Sequence, residues 1–149
     1  MSGVFSGHAE CFPRSILKAA LQHAELDIVR DQITGPTSAD SIAVVLDLMA
    51  HKVLSGNLKW GTYHFAQQPF LSWYEFGKTI LDIAQHMDDR FLGAKIKPVR
   101  SKEFDALAPR PSCACLNSSK LVDELCLDSF VLSREANLKE SIRQIIKQL

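Results

Sequence analysis

Arg110, set between Pro109 and Pro111, carries the side chain in this sequence best suited to holding a phosphate. A guanidinium fork meets phosphate oxygens bidentately, and two flanking prolines stiffen the loop that presents it. The same group would equally serve a surface ion pair or a structural link to a carboxylate. Further along, Asn117 offers a donor and an acceptor to a ligand, or an N-cap ahead of Ser118, Ser119 and Lys120. Gln32 and Thr37 lie at the carboxyl end of an expected strand, where open α/β sheets place their ligands; Thr37 also suits the cap of the helix that follows. His64 falls in an expected strand with no carboxylate partner identifiable, so it reads as a half-buried, hydrogen-bonded histidine rather than an acid or base. Cys11, Cys113, Cys115 and Cys126 form no paired Cys-x-x-Cys units. Cys113 and Cys115 are a single close pair without a nearby His, which points away from zinc and toward reduced thiols.

Positioning these groups requires alternating helices and strands. Val4 and Phe5 read as the end of a strand, and Pro13 opens a helix with Ile16, Leu17, Ala20, Leu21 and Ala24 on one face. Leu26 and Ile28 alternate along a strand up to Arg30, which the Gly35-Pro36 turn closes. Thr37 or Ser38 then caps a helix through about Leu54, with Ile42, Val45, Leu46, Met49 and Val53 facing inward. Thr62, Tyr63 and Phe65 predict another strand. Ser72 and Glu75 have the spacing of a capping box for a helix whose buried face is Phe76, Ile80, Ile83 and Ala84, with Trp73 and Tyr74 packing on a sheet. Residues 95–99 predict an edge-like strand because Pro98 lacks a ladder donor. Pro109 and Pro111 forbid a regular element around Arg110. A short helix through Cys126 and a last amphipathic helix with Leu138, Ile142, Ile145, Ile146 and Leu149 complete one α/β domain over residues 1–149.

Composition narrows the function classes. Seventeen basic and seventeen acidic side chains cancel, so no net field draws nucleic acid or an anionic membrane surface. No window is apolar for long enough to span a bilayer and no leader pattern opens the chain, so a cytoplasmic protein is expected.

Three segments taken in order carry a resemblance. DQITGPT at 31–37 resembles D-Q-x-G-x-P-T, GTYHFAQQPFLSWYEF at 61–76 resembles G-x-Y-H followed by S/T-W, and RPSCACLNSSK at 110–120 resembles R-P-x-x-S-x-L-D/N-x-x-K. Together they resemble the carboxy-terminal half of the dTDP-4-dehydrorhamnose reductases, extended short-chain dehydrogenases that reduce the 4-keto group of a dTDP-linked sugar with NADPH or NADH. The resemblance implies a partial Rossmann-like unit, the substrate-binding half of that fold. Arg110, Asn117, Gln32 and Thr37 would then face the dTDP-sugar, which a half-site would bind weakly. Thr34 stands at the family's Gly position with Gly35 one place later, so a turn calling for positive φ is expected to shift by one residue.

The redox machinery of such enzymes lies in the other half. A dinucleotide needs a Gly-rich turn so that its pyrophosphate can approach a helix N-terminus, and the seven glycines here never take G-x-x-G-x-x-G or G-x-G-x-x-G spacing. Tyr74 and Lys78 do repeat the family's catalytic Tyr-x-x-x-Lys spacing. They fall within the S-W-Y/x-E/D-F block rather than beside a cofactor site, so the pair is read as coincidence. No cofactor is therefore expected on this chain alone. It would be a substrate-binding part completed by a separately encoded cofactor-binding half, or else a noncatalytic interaction domain derived from one. Strands at Val4-Phe5 and Leu26–Arg30 without their usual covering elements would also favour self-association.

Overall fold

A computed structural model describes residues 3–103, 110–128, 131 and 133–149. Pro109 lies outside the described residues, so the stiffening expected of it has no structural counterpart here. Strands β1 (Val4–Phe5), β2 (Glu25–Val29), β3 (Ile33–Thr34), β4 (Thr37–Ser38), β5 (Leu71–Ser72), β6 (Lys95–Val99) and β7 (Cys113–Ala114) alternate with helices α1 (Phe12–Ala20), α2 (Ala39–Leu54), α3 (Trp73–Met87), α4 (Ser119–Leu125) and α5 (Glu135–Ile146). The strands form three small sheets: β1 with β4, β2 with β6, and β5-β3-β7. Every pairing is parallel except β3 with β5. The fold is α/β with parallel sheets, as the alternation of elements implies.

The β2–β6 ladder is the longest, running from Glu25↔Lys95 to Val29↔Val99 with Pro98 opposite Ile28. Pro98 is tolerated because β6 has no second neighbour among the described strands, so its missing N–H interrupts no outer ladder. Alternation along β2 puts Leu26 and Ile28 inward, and α1 and α3 close over them. The apolar sides of β1 and β2 are thus better covered than the sequence suggested: Phe5, Leu26 and Ile28 are all buried and only Val4 stays exposed. Among the described strands, neither β1 nor β2 has a partner on its second edge. The main core gathers Phe5, Leu17, Phe76, Ile80, Phe91, Leu138, Ile142 and Ile145 from α1, α3, α5 and the strands beneath them. A smaller cluster of Val45, Phe65, Leu121 and Leu125 joins α2 to α4.

Two expectations fail for instructive reasons. Thr62 to Phe65 is not a strand: it has no ladder partner among the described residues, and backbone groups at its two ends are met by side chains. Lys120 Nζ donates to Thr62 O, Ser118 Oγ accepts from Ala66 N, and Thr37 Oγ1 accepts from Gln67 N. His64 is consequently exposed rather than half-buried. Of the apolar residues expected inward on α2 only Val45 is fully buried; Leu46 and Val53 are 59% and 39% exposed, so this helix sits on the domain with a narrow face.

The α3 start forms as its spacing demands. Ser72 Oγ accepts from Glu75 N at 3.1 Å, and Glu75 Oε2 accepts from Ser72 N at 2.8 Å. The Ser72 backbone and hydroxyl donors hold the Glu75 carboxyl below its ordinary value. A carboxylate depressed in the folded state stabilises fully above its unfolded pKa, and that contribution fades as pH falls through the folded pKa. Ser72→Ala is expected to cost about 1 kcal/mol in urea unfolding. Glu75→Gln should trail the parent at neutral pH, with the gap closing toward acid; a gap that stays constant or widens would remove the capping carboxylate from the account.

Candidate functional site

The ends of β3 and β7 carry three of the four site residues expected from sequence. β3 and β7 run in parallel, Ile33 opposite Cys113 and Thr34 opposite Ala114, with Ile33 N donating to Ser112 O at 2.8 Å. Gln32 and Arg110 therefore stand at the entry end of this pair, and Asn117 follows its exit. Beyond that exit, the 66–70 segment and the start of α4 enclose a cavity of about 350 Å³ lined by Ala66, Gln68, Phe70, Asn117, Val122 and Asp123 among others. Of the four residues expected from sequence, this cavity holds Asn117 alone. A second depression, about 420 Å³, lies between the end of α2 and Leu125 and contains none of them.

Each candidate has a definite state. Arg110 is exposed and makes no hydrogen bond or ion pair among the described residues. Asn117 Oδ1 accepts from Ser119 N at 2.9 Å and from Ser119 Oγ at 2.7 Å, which is the local capping role weighed for it. That role spends the carbonyl and leaves the side-chain amide hydrogens beside the cavity. Gln32 Nε2 donates to Ser101 Oγ at 2.9 Å. Ser101 in turn donates through its amide and hydroxyl to Asp31, and these bonds hold the Asp31 carboxyl below its usual range. The strand end carrying Gln32 is thereby tied to the segment that follows β6.

Thr37 does not face a ligand. It is fully buried, its hydroxyl donates to Gly35 O at 2.8 Å and accepts from Gln67 N at 3.2 Å, and the neighbouring Ser38 is the actual cap of α2, accepting from Asp40 N. Its part is to fix the turn between β3 and α2. Gly35 in that turn is not at positive φ; among the described residues the glycines at positive φ are Gly3, Gly56 and Gly61. Gly35 is required for closeness instead, since a Cβ there would meet Ala66 Cβ and the Phe70 ring at 3.0 Å.

The groups that hold this site together were not visible in the sequence pattern. Gln67 is fully buried: its Oε1 accepts from Ser38 N at 2.9 Å, and its Nε2 donates to Ser41 Oγ, Val131 O and Ser133 O. Asn137 Nδ2 also donates to Ser41 Oγ. Arg134, only 5% exposed, donates to the carbonyls of Pro36, Gln67 and Pro69 and makes no ion pair among the described residues. Burial lowers its pKa from the ordinary arginine value, and the three carbonyl dipoles substitute for a carboxylate. Gln67 reads locally as the end of a strand and Arg134 as a surface charge before a helix. Neither spacing betrays a buried network.

Tyr74 packs against the main core and Lys78 is exposed on α3. Among the described residues, no three His, Cys, Asp or Glu side chains converge as a metal site would require.

Comparison with known proteins adds what geometry alone does not. The family model described as the RmlD substrate binding domain matches residues 1–148. The dTDP-4-dehydrorhamnose reductase of Aggregatibacter actinomycetemcomitans is 33% identical over 123 residues, covering 80% of this chain and 41% of that protein. The dTDP-4-dehydrorhamnose reductase of Sinorhizobium fredii is 28% identical over 147 residues, covering 97% of this chain and 47% of that protein. In fold, the chain resembles the crystal structure of the Bacillus anthracis dTDP-4-dehydrorhamnose reductase in complex with NADP, with a TM-score of 0.76 at 22% identity over 99% of this chain and 46% of that one. The chain spans less than half the length of the curated relatives it matches.

Proposed function

This chain belongs to the RmlD substrate binding domain family, and from that membership we propose that it is the sugar-nucleotide-recognising part of a dTDP-4-dehydrorhamnose reductase, inactive in 4-keto reduction by itself. The observation that carries the reading is the family match over 1–148 together with an exposed guanidinium at the family's R-P position. Arg110 takes the diphosphate bidentately, and the Asn117 amide and Gln32 carbonyl hydrogen-bond the base or sugar. Thr37, Gln67 and Arg134 act behind the surface, keeping the loop that walls the cavity in one conformation. Because Arg110 and Asn117 stand at opposite ends of β7, an extended ligand suits this surface better than a compact one.

The nicotinamide dinucleotide of the complete enzyme is held outside these residues. The support lies in the first strand-to-helix turn, where Gly7 has Gln144 packed against it: a Cβ there would sit 2.0 Å from Gln144 Oε1. A turn occupied in this way offers no room for a pyrophosphate. The cofactor-binding half packs beside these residues, and the second edges of β1 and β2, unpaired among the described strands, are its natural seats; a second copy of this chain competes for the same edges.

Thymidine diphosphate titrated into isotopically labelled protein should give weak, saturable amide shifts at Gln32, Arg110 and Asn117. A half-site lacks the other wall of the cleft and much of its desolvation, so millimolar affinity is expected. Arg110→Ala should abolish saturation, and NADPH with a dTDP-4-keto sugar should show no turnover. A flat titration on folded protein would favour the second reading, a noncatalytic interaction domain. That reading draws on the apolar residues α2 leaves outside, with Leu46 59% and Leu54 87% exposed.

A further inference from the structure

Cys113 and Cys115 lie two residues apart where β7 ends, and extended backbone sends alternate side chains to the same face. Cys113 is exposed, Cys115 is half-buried, and both are free thiols. The Cys115 thiol and backbone N–H lie on the side of Cys113 where they favour its thiolate. Two thiols thus share one face, one of them open to solvent, on the strand that separates Arg110 from Asn117.

We propose that Cys113 and Cys115 form a reversible dithiol–disulfide modification site, oxidised by low-molecular-weight disulfides, whose closure unpairs β7 from β3. The Cys113 thiolate attacks one sulfur of glutathione disulfide, forming a mixed disulfide and expelling one glutathione thiolate. Cys115 gives its proton to solvent and attacks the Cys113 sulfur, forming the Cys113–Cys115 bond and expelling the second glutathione thiolate. Two protein thiols are oxidised, and one glutathione disulfide is reduced to two thiols. The order follows from exposure: Cys113 is the solvent-accessible thiol, and the neighbouring Cys115 thiol and N–H hold it below its ordinary value, whereas the same interaction, together with burial, pushes Cys115 up.

Closure has a structural consequence. Cα atoms two residues apart in an extended strand lie about 6.6 Å from each other, while disulfides favour about 5.5–6 Å. Forming the bond therefore draws the backbone in at Ala114 and breaks the extended geometry that pairs Ile33 with Cys113 and Thr34 with Ala114. A bond formed at the expense of that ladder is readily reduced again, which makes the site reversible. Only the effect on ligand binding rests on the sugar-nucleotide reading; the oxidation stands independently of it.

The reduced chain, equilibrated with glutathione disulfide, is expected to lose two hydrogens from its intact mass. The loss should persist in the Cys11→Ser/Cys126→Ser double variant and disappear in Cys113→Ser. Cys115→Ser should instead stop at a glutathione adduct on Cys113. Amide shifts on oxidation should centre on Ile33, Thr34 and Ala114 and reverse with added thiol. A lasting glutathione adduct in the parent, no mass change, or the same two-hydrogen loss in Cys115→Ser would each overturn the site. Thymidine diphosphate binding should weaken several-fold on oxidation; equal binding by both forms would sever the coupling, whereas no binding by the reduced form would count against the sugar-nucleotide reading and leave the dithiol untouched.

Discussion

Gln67→Leu is expected to lower the unfolding free energy by about 3–5 kcal/mol, enough to remove a large part of the roughly 5–15 kcal/mol that holds a domain of this kind together. Leucine fills nearly the same volume, so the loss is not one of packing. It arises because the Ser38 amide and the carbonyls of Val131 and Ser133 lose the carboxamide that met all of them. The fully buried Ser38 amide left without a partner carries a desolvation cost of about 1–3 kcal/mol, and the lost bonds to the partly buried Val131 carbonyl and the Ser133 carbonyl add about 0.5–1.5 kcal/mol each. Gln67→Glu separates this account from one based on shape. An ionised carboxylate still accepts from Ser38 N but has no hydrogen for the two carbonyls, whereas the protonated acid recovers one donor. Its deficit against the parent should shrink as pH falls into the carboxylate range. Thermal unfolding monitored by circular dichroism, with urea titrations at two pH values, reads both effects; a Gln67→Leu protein as stable as the parent would show that water replaces the side chain there.

Phe76→Ala is expected to cost about 3–5 kcal/mol by a different mechanism. Phe76 is fully buried, with ring centroids 5.7 Å from Phe5 and 5.6 Å from Phe12, so one ring joins β1, α1 and α3. Truncation removes the largest share of contact at the point where these elements meet and leaves a void that rigid neighbours do not fill. Phe76→Leu retains most of the volume and should cost about 1–1.5 kcal/mol. Urea unfolding at neutral pH tests the pair. Similar losses for Ala and Leu would mean that the aromatic contacts, and not the filled space, matter most. A loss below about 1 kcal/mol for Ala would mean that the three elements close over the gap.

Much of this architecture was legible one residue at a time. The capping box at Ser72 and Glu75, the Pro13 helix start, the β2 alternation and the apolar spacing of α3 and α5 are local signals, set by chain geometry and by which groups a helix end leaves unpaired. The ordered motifs placed the chain in its family for the same reason, since they are strings of residue types. Arg110 was identified as a candidate because its chemistry belongs to the side chain itself.

What only the tertiary structure decided are the properties that depend on a distant partner. Thr62 to Phe65 has strand-forming residues but no strand beside it, and side chains from α4 and Thr37 take its place. Thr37 has a ligand-binding hydroxyl by type, yet Gly35 O and Gln67 N occupy it from residues that fold over it. Gln67 and Arg134 look like surface residues, and burial turns them into the hub of the site, because a polar side chain withdrawn from water must be met by backbone groups that sequence separation hides. A residue's chemistry is written in its type. Whether that chemistry is spent inside the protein or remains for a ligand is settled by what the fold brings against it.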